Sequence, residues 1–272
     1  MKSGEIHAKD GTKLHYKVWP GNASAPAGRK PRIALLHSLA MDHTFWIPVV
    51  EKLNGAADVL AVDCRGHGLS DKPAGPYTVE LFAEDLAAVM DDADWPKALI
   101  AGCSTGGCVA LAFADAYPER VEALGLIDTT AYYGDDAPKA WEERAQKAAQ
   151  GGMEKLIGFQ KSRWFGDAFR EANPEVVEAA INVFLANDIP AYGETCRMLG
   201  ACDMRAAMPK FSFPTRVIVG EEDYAAPVAM AEAMRDAIPG ASLLVIDKAR
   251  HLTPLEVPEL IARELKRLSE KA

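Results

Sequence analysis

Residues 102–107 of this 272-residue chain read Gly102-Cys103-Ser104-Thr105-Gly106-Gly107. An apolar run precedes them and a helical run follows, so the pattern predicts a strand, a tight turn and a helix, with Ser104 at the tip. A Gly-x-Ser-x-Gly sequence in this setting is typical of a nucleophile elbow, a strained turn that lifts the serine hydroxyl clear of the sheet. A side chain at either flanking glycine would collide with the strand or the helix. The same sequence is also compatible with a glycine-rich turn that has only a structural role. The partners of Ser104 decide between this interpretation and a nucleophile elbow.

The rest of the chain has the alternating strand and helix pattern of an α/β protein. Short apolar runs alternate with helical stretches, and continuous apolar runs of this length are typical of strands buried on both faces. The alternation predicts right-handed crossovers and a mostly parallel central sheet with helices on both faces. The predicted buried strands are residues 33–36, 59–62, 98–101, 123–127, 215–219 and 243–246.

The N-terminal region predicts a hairpin that turns at Asp10-Gly11. After the turn, apolar positions 14, 16 and 18 alternate with polar positions 13, 15 and 17, as in a half-buried strand. Residues 21–31 are rich in alanine, glycine and proline and predict a small loop.

The alternation of strands and helices stops between about residues 130 and 210, where the sequence has helical periodicity and no convincing strand. An all-helical insertion between two strands of a parallel sheet predicts a cap over the C-terminal edge of the sheet, where open α/β sheets bind ligands. We therefore expect a core domain formed by residues 1–130 and 211–272, with a helical cap inserted at residues 131–210.

A serine nucleophile needs a histidine that takes its proton and a carboxylate that orients the histidine. The loop after the predicted strand 215–219 offers three acids, and Asp223 is preferred to Glu221 and Glu222 because Gly-x-x-Asp with a proline four residues later is the usual layout there. His251 lies in the loop after the next predicted strand, so serine, acid and histidine follow in the required order. The remaining histidines fit this role poorly; they lie in the N-terminal hairpin, near the first buried strand, or in a loop that is predicted to be structural (His7, His15, His37, His43 and His67).

Two backbone N–H groups are needed to stabilise a developing oxyanion. Thr105, the residue after the candidate nucleophile, supplies one. The other is assigned to Leu39 in the loop after the predicted strand 33–36. Ser38 stands where glycine is commoner, so this position is expected not to need a positive φ.

Charge and cysteine content exclude several kinds of partner and site. The net charge of −9 argues against nucleic acid and anionic membrane surfaces as partners. The five cysteines have no zinc or redox spacing, so buried free thiols are expected. No signal peptide or membrane-spanning run is predicted, and we expect a cytoplasmic protein.

With these residues in place, the chain resembles the α/β-hydrolases over essentially its whole length. The resemblance rests on the elbow at 102–107, the loops at 63–70 and 220–227, and His251. Several further segments look like those of 3-oxoadipate enol-lactonases, and these are residues 37–40, 65–70, 75–78, 141–144, 152–153 and 163–165.

The resemblance implies a serine hydrolase that opens an enol-lactone acid through an acyl-enzyme, in aromatic catabolism, and that requires no metal or organic cofactor. A carboxylate on the substrate predicts a basic group in the cap. Arg163 is the first candidate because it adjoins Trp164 in a matching segment, and the alternatives are Lys161, Arg144 and Arg197. Trp141 and Trp164 are candidates for lining the pocket, with packing of the cap on the core as the alternative.

Other functions remain open at this point. A broad carboxylesterase for small esters would use the same three residues, and so would a C–C bond hydrolase of the meta-cleavage type. Epoxide hydrolases and haloalkane dehalogenases are disfavoured because they carry an aspartate at the position of Ser104. A non-catalytic binding protein of the same fold would be expected to have lost part of this set. The expected partner is a small ester or lactone, either neutral or anionic, and the sequence leaves the oligomeric state open.

Overall fold

The computed structural model describes residues 2–22 and 30–271. Most of the predicted loop at 21–31 therefore lies outside the described residues. The described part contains eight strands, which are β1 (Lys2–His7), β2 (Lys13–Trp19), β3 (Arg32–Leu36), β4 (Asp58–Asp63), β5 (Ala98–Cys103), β6 (Val121–Ile127), β7 (Thr215–Gly220) and β8 (Ser242–Ile246).

The strands form one sheet in the order β1-β2-β4-β3-β5-β6-β7-β8. Strand β2 runs antiparallel to both β1 and β4, and every other pair is parallel. All six residues of β5 are buried, as expected for a central strand that is covered on both faces. The predicted α/β class and the mostly parallel sheet are confirmed.

Eleven α-helices complete the described part of the chain, and they are α1 (Ile47–Leu53), α2 (Val79–Asp92), α3 (Thr105–Ala116), α4 (Ala137–Gly151), α5 (Glu154–Trp164), α6 (Asp167–Ala172), α7 (Pro174–Leu185), α8 (Ile189–Ala201), α9 (Val228–Ala237), α10 (Thr253–Glu256) and α11 (Pro258–Ser269). Helices α2 and α3 pack side by side, as do α1 and α11, and both α3 and α11 contact β6. None of the described helices has both the length and the apolar character needed to cross a membrane.

Helices α4 to α8 follow one another between β6 and β7, and no strand interrupts them in this fully described stretch. A single antiparallel bridge between Tyr132 and Asp203 joins the two ends of this helical insertion. Helices α4 and α8 pack closely together. The insertion coincides with the stretch predicted as a cap, and the division of the chain into two domains remains a prediction.

Strand β2 departs from the predicted alternation at His15. His15 is buried together with its neighbours Leu14 and Tyr16. The reason is a hydrogen bond of 2.9 Å between the Nδ1 atom of His15 and the carboxylate of Asp63, at the end of the neighbouring strand β4. A polar side chain with a buried partner can occupy an inward position, which an alternation rule cannot anticipate.

Candidate active site

Ser104 lies between β5 and α3 in a conformation that few residues adopt. Its φ of 54° and ψ of −116° fall outside the common regions for a residue with a side chain. Four hydrogen bonds hold this turn: the Ser104 N–H donates to the Ile127 carbonyl, and the Ser104 carbonyl accepts from the N–H groups of Gly107 and Cys108 and from the Thr129 hydroxyl. The surrounding structure therefore fixes the strained turn that the sequence predicted.

The two glycines that flank the serine are required because the backbone approaches other chain segments closely. A Cβ atom on Gly102 would lie 2.0 Å from the carbonyl oxygen of Gly106, in the first turn of α3. A Cβ atom on Gly106 would lie 2.2 Å from the carbonyl oxygen of Leu36, at the end of β3. Contacts this short with backbone cannot be relieved by a side-chain rotation, so both collisions expected from the sequence are present.

The three residues predicted to act together lie together. The Nε2 atom of His251 is 2.9 Å from the hydroxyl oxygen of Ser104, and its Nδ1 atom is 2.8 Å from Oδ2 of Asp223. In the tautomer with the proton on Nδ1, His251 donates to Asp223 and accepts from the Ser104 hydroxyl. This geometry allows the imidazole to take the serine proton while the carboxylate stabilises the charge that results.

Asp223 is the one acid of its loop that reaches His251. Its Oδ1 atom accepts two backbone N–H groups, from Ala225 at 2.7 Å and Ala226 at 2.9 Å, which leaves Oδ2 for the imidazole. Glu222 instead binds the guanidinium of Arg250, and Glu221 accepts from a backbone N–H. The predicted preference for Asp223 thus corresponds to the only contact with the histidine among these three side chains.

Another buried aspartate close to this site, Asp128, was missed by sequence reasoning. It follows β6, and its carboxylate accepts from the Gly220 N–H at the end of β7 and from both the N–H and the hydroxyl of Thr253. Burial raises the pKa of Asp128 well above its ordinary value, and the nearby charge of Asp223 adds to this effect. Asp128 thus connects Gly220, which begins the loop that carries Asp223, to Thr253, two residues after His251. It forms no hydrogen bond with the imidazole.

The two residues assigned to the oxyanion hole lie beside Ser104. Thr105 begins α3, and the first N–H groups of a helix have no partner within it. Leu39 lines the same cavity as Ser104 and His251. The positive φ in this loop, 60°, belongs to Ala40 and not to Ser38, as expected from a serine at that position.

The hydroxyl of Ser104 and the ring of His251 face a cavity of about 80 Å³. One wall comes from the core loops and the other from the helical insertion. The residues that line it are Ser38, Leu39, Ser104, Tyr133, Trp141, Arg144, Gln160, Arg163, Trp164, Ala225 and His251. A concave site with a nucleophile, a base and few polar groups has the form of a small-molecule binding site.

Comparison with known proteins agrees with this geometry. A family model described as alpha/beta hydrolase fold matches residues 31–258. The chain belongs to the alpha/beta hydrolase fold family. Among curated proteins, 3-oxoadipate enol-lactonase 1 from Acinetobacter baylyi is 30% identical over 255 residues, which cover 94% of this chain and 94% of that protein.

Solved structures of this family superpose closely on the chain. The enol-lactonase from Burkholderia xenovorans LB400 has a TM-score of 0.90 and 32% identity, and the match covers 97% of this chain and 99% of that chain. A thermophilic esterase from Thermogutta terrifontis, with malate bound, has a TM-score of 0.90 and 27% identity, over 100% of this chain and 99% of that chain. These findings confirm the predicted fold and the resemblance to enol-lactonases, and they support a hydrolase that acts on ester bonds.

Two guanidinium groups line the cavity of this alpha/beta hydrolase without a carboxylate partner in the described part of the chain. Arg163, the first candidate from the sequence, lies with its guanidinium over the ring of Phe159, at 4.1 Å. Arg144 lies over the ring of Trp141, and its Nε–H donates to the hydroxyl of Tyr192 at 2.6 Å. Burial lowers the pKa of Arg163, and the neighbouring charge of Arg144 lowers it further.

The other basic candidates lie elsewhere. Arg197 forms ion pairs of 2.8 Å and 2.7 Å with Glu142 and Glu194 outside the cavity. Lys161 lines neither this cavity nor the neighbouring one between α4 and α5. Sequence reasoning therefore selected one of the two arginines that face Ser104 and ranked the other among its alternatives.

Gln160 lines the cavity and was not predicted from the sequence. The buried side chains of α5 are Leu156, Gln160 and Trp164, which are spaced four residues apart and share one helix face. The sequence signal for Gln160 is its amide, which lies between Leu156 and Trp164 on the otherwise apolar face of α5. The predicted pocket residues Trp141 and Trp164 both lie in the cavity wall, and Trp164 also packs against Phe184 with ring centroids 5.3 Å apart.

The insertion is hydrogen-bonded directly to the loop that carries the histidine. The N–H of His251 donates to the carbonyl of Arg163 at 3.3 Å, and the N–H of Leu252 donates to the carbonyl of Trp164 at 3.0 Å. The buried guanidinium of Arg250 adds bonds to the carbonyls of Ser162 and Phe165. The segment 162–165, which carries Arg163, therefore also holds the backbone of the loop that carries His251.

Proposed function

We propose that the protein is a serine hydrolase of carboxylic esters and lactones, and that its substrate is an enol-lactone that carries a carboxylate. The observation that carries this proposal is the presence, around one cavity, of the hydrogen-bonded residues Ser104, His251 and Asp223 and of two guanidinium groups, those of Arg144 and Arg163, that have no carboxylate partner among the described residues. The named activity of the Acinetobacter baylyi and Burkholderia xenovorans relatives supports the choice of substrate.

In the proposed reaction, the Ser104 oxygen attacks the carbonyl carbon of the lactone while His251 takes the hydroxyl proton and Asp223 stabilises the imidazolium. The N–H groups of Leu39 and Thr105 stabilise the oxyanion, and each such donor is usually worth about 3 kcal/mol. Collapse of the tetrahedral intermediate breaks the ring C–O bond, and the enol oxygen leaves with the proton from His251. A water molecule, deprotonated by His251, then releases the acid from Ser104.

An enol ester is an activated substrate because its leaving group is a stabilised enolate that becomes a ketone. The substrate carries its negative charge on the carboxylate, for which Arg163 and Arg144 are the proposed partners. Trp141 and Trp164 are proposed to form the apolar wall. The proposed mechanism uses side chains and backbone N–H groups of this chain together with a water molecule. A cytoplasmic location remains a prediction.

The proposed substrate is tested by comparing kcat/KM for a carboxylate-bearing enol-lactone, a saturated γ-lactone and neutral p-nitrophenyl butyrate. We expect the enol-lactone acid to be the best substrate. The change Arg163→Ala should raise KM for it about 10- to 100-fold, because a hydrogen bond to a charged group contributes about 1.5–3 kcal/mol. The neutral ester should be nearly unaffected.

Arg197→Ala is the matched control, since it removes a guanidinium of the insertion that lines neither cavity. Equal losses on both substrates in the Arg163 variant would contradict the assignment of Arg163. A preference of several orders of magnitude for the neutral ester would instead indicate a broad carboxylesterase, the function named for the Thermogutta terrifontis relative.

A further inference from the structure

A second cavity, of about 490 Å³, lies between α4 and α5. Four of its lining residues, Trp141, Arg144, Gln160 and Arg163, also line the cavity above Ser104. The two cavities therefore share one wall of side chains. The second cavity, here called the outer cavity, adjoins the Ser104 cavity at these four side chains.

The outer cavity is strongly positive. Besides Arg144 and Arg163 it is lined by the exposed lysines Lys147 and Lys155, and the single acidic residue in its lining is Glu143. None of these four cations forms an ion pair with any residue in the ranges 2–22 and 30–271 that the structure describes. Their charges are thus available to an anion that comes from solvent.

This local charge opposes the charge of the whole chain. With a formal net charge of −9, the protein repels small anions at long range. A low-dielectric cleft lined by charges of one sign concentrates ions of the opposite sign and raises their association rate, by about 10- to 1,000-fold in favourable cases. The outer cavity has the shape and charge of such a cleft.

We propose that the outer cavity is the access route of the substrate, in which Lys147 and Lys155 capture a small organic carboxylate that then passes the shared wall to reach Ser104. This inference deepens the proposed function and rests on it, because it takes Ser104 as the nucleophile that the route serves. It assigns the two lysines to capture and leaves the arginines to hold the bound substrate. The lysines should accordingly affect association and not the chemical step.

The test uses two esters that differ in charge and not in the reacting bond, the anionic mono-p-nitrophenyl succinate and the neutral p-nitrophenyl butyrate. The variant is the double charge reversal Lys147→Glu/Lys155→Glu. At low ionic strength we expect kcat/KM for the anionic ester to fall about tenfold or more, with kcat little changed and the neutral ester unaffected. Added salt should reduce the difference between variant and wild type, since exposed charges are screened.

The double variant Lys139→Glu/Lys161→Glu is the matched control. It makes the same change in net charge on the same two helices, at positions that line neither cavity. We expect it to leave the ratio of the two kcat/KM values close to that of the wild type. A comparison of urea unfolding midpoints of the two double variants checks that both remain folded.

Equal effects of the two double variants would overturn the access route, and so would a loss on the neutral ester as large as that on the anionic one. Because both probes are simple esters, the test does not depend on the enol-lactone. Failure to open the enol-lactone while the two esters respond as expected would overturn the proposed substrate alone. A wild-type protein that hydrolyses neither ester would contradict both proposals.

Discussion

The described part of the chain contains two buried aspartate–histidine pairs that each end at a serine hydroxyl. In the first, Asp223 binds His251 at 2.8 Å and His251 reaches Ser104 at 2.9 Å. In the second, Asp63 binds Nδ1 of His15 at 2.9 Å, and Nε2 of His15 lies 3.2 Å from the hydroxyl oxygen of Ser3. The same three residue types thus occur twice, in the same order of contacts.

The surroundings of these two sets of serine, histidine and aspartate differ. Ser3 is an exposed residue of the regular strand β1, whereas Ser104 is buried in a strained turn before a helix N-terminus and faces a cavity. Asp63 also binds Nδ1 of His43 and accepts the N–H groups of His43 and Leu69, so both of its oxygens are fully used.

Asp63 and its two histidines therefore serve structure. His15, His43 and Asp63 bring three potential metal ligands within 4.8 Å of one another, but these atoms already satisfy each other by hydrogen bonding. Burial raises the pKa of Asp63, and the hydrogen bonds from His15 and His43 outweigh burial and lower the pKa below its ordinary value. Three side chains of the right types are therefore not enough to form a nucleophile. The strained turn at Ser104, the N–H groups at the start of α3 and the cavity are needed as well.

The largest expected effect separates the two serines. Ser104→Ala should reduce kcat by about 10⁶-fold, the loss typical of removing a serine nucleophile, because the attacking oxygen is gone. Ser3→Ala should leave kcat within about twofold, since Ser3 lies in a regular strand, without the strained turn and the following helix N-terminus that place N–H donors beside Ser104. Ester turnover and stoichiometric labelling by a fluorophosphonate measure both effects.

Labelling of Ser3, or unchanged turnover in the Ser104 variant, would show that the geometry of the elbow does not select the nucleophile. Absence of both labelling and turnover in the folded wild-type protein would favour a binding protein of the hydrolase fold.

The next effect separates the two aspartates. Asp223→Asn should lower kcat by about 10⁴-fold, because an amide favours the wrong tautomer of the imidazole, and it should cost less stability than the change at Asp63, because the amide oxygen can still accept the N–H groups of Ala225 and Ala226. Asp63→Asn should do the reverse. It removes a charged acceptor of several hydrogen bonds and should lower the free energy of unfolding by about 3 kcal/mol, with kcat preserved below the unfolding temperature.

Both variants are measured by urea unfolding, for the free energy of unfolding, and by ester turnover, for kcat. A large loss of kcat in the folded Asp63 variant would mean that the loop at residues 63–70 contributes to the reaction. Similar losses of stability in both variants would remove the distinction between a structural and a functional carboxylate.

Sequence reasoning located Ser104, Asp223 and His251 because loops at the carboxyl ends of parallel strands meet at one edge of the sheet. The same reasoning could not predict that Arg144 and Arg163 line the same cavity, since that depends on how α4 packs on α5. It also missed the burial of His15, whose partner Asp63 lies 48 residues away. Features set by the order of strands were therefore predictable, and features set by contacts of the insertion or by distant polar pairs were not.

The smallest expected effect concerns a histidine that has no carboxylate at its ring nitrogens. His67 is buried, its Nδ1–H donates to the carbonyl of Arg65, and its Nε2 atom has no partner among the described residues. Burial, reinforced by the neighbouring His37, lowers the pKa of His67 from 6.5 to about 3. His67 is therefore neutral in the folded protein above about pH 3, and its ring lacks the carboxylate contact that His15 and His251 make.

The sign of the resulting pH dependence follows from proton counting. Between pH 6.5 and about 3 the unfolded chain binds a proton at His67 that the folded protein does not, so the free energy of unfolding falls as the pH decreases, by up to about 1.4 kcal/mol per pH unit. Asn at this position keeps a donor near Nδ1 and cannot titrate, so His67→Asn should lose less stability than the wild type between pH 7 and pH 5. Urea unfolding at pH 7, 6 and 5 measures the two slopes. Parallel slopes would mean that protonation of His67 is tolerated in the fold, and the distinction between histidines with and without a carboxylate partner would then lose its energetic meaning.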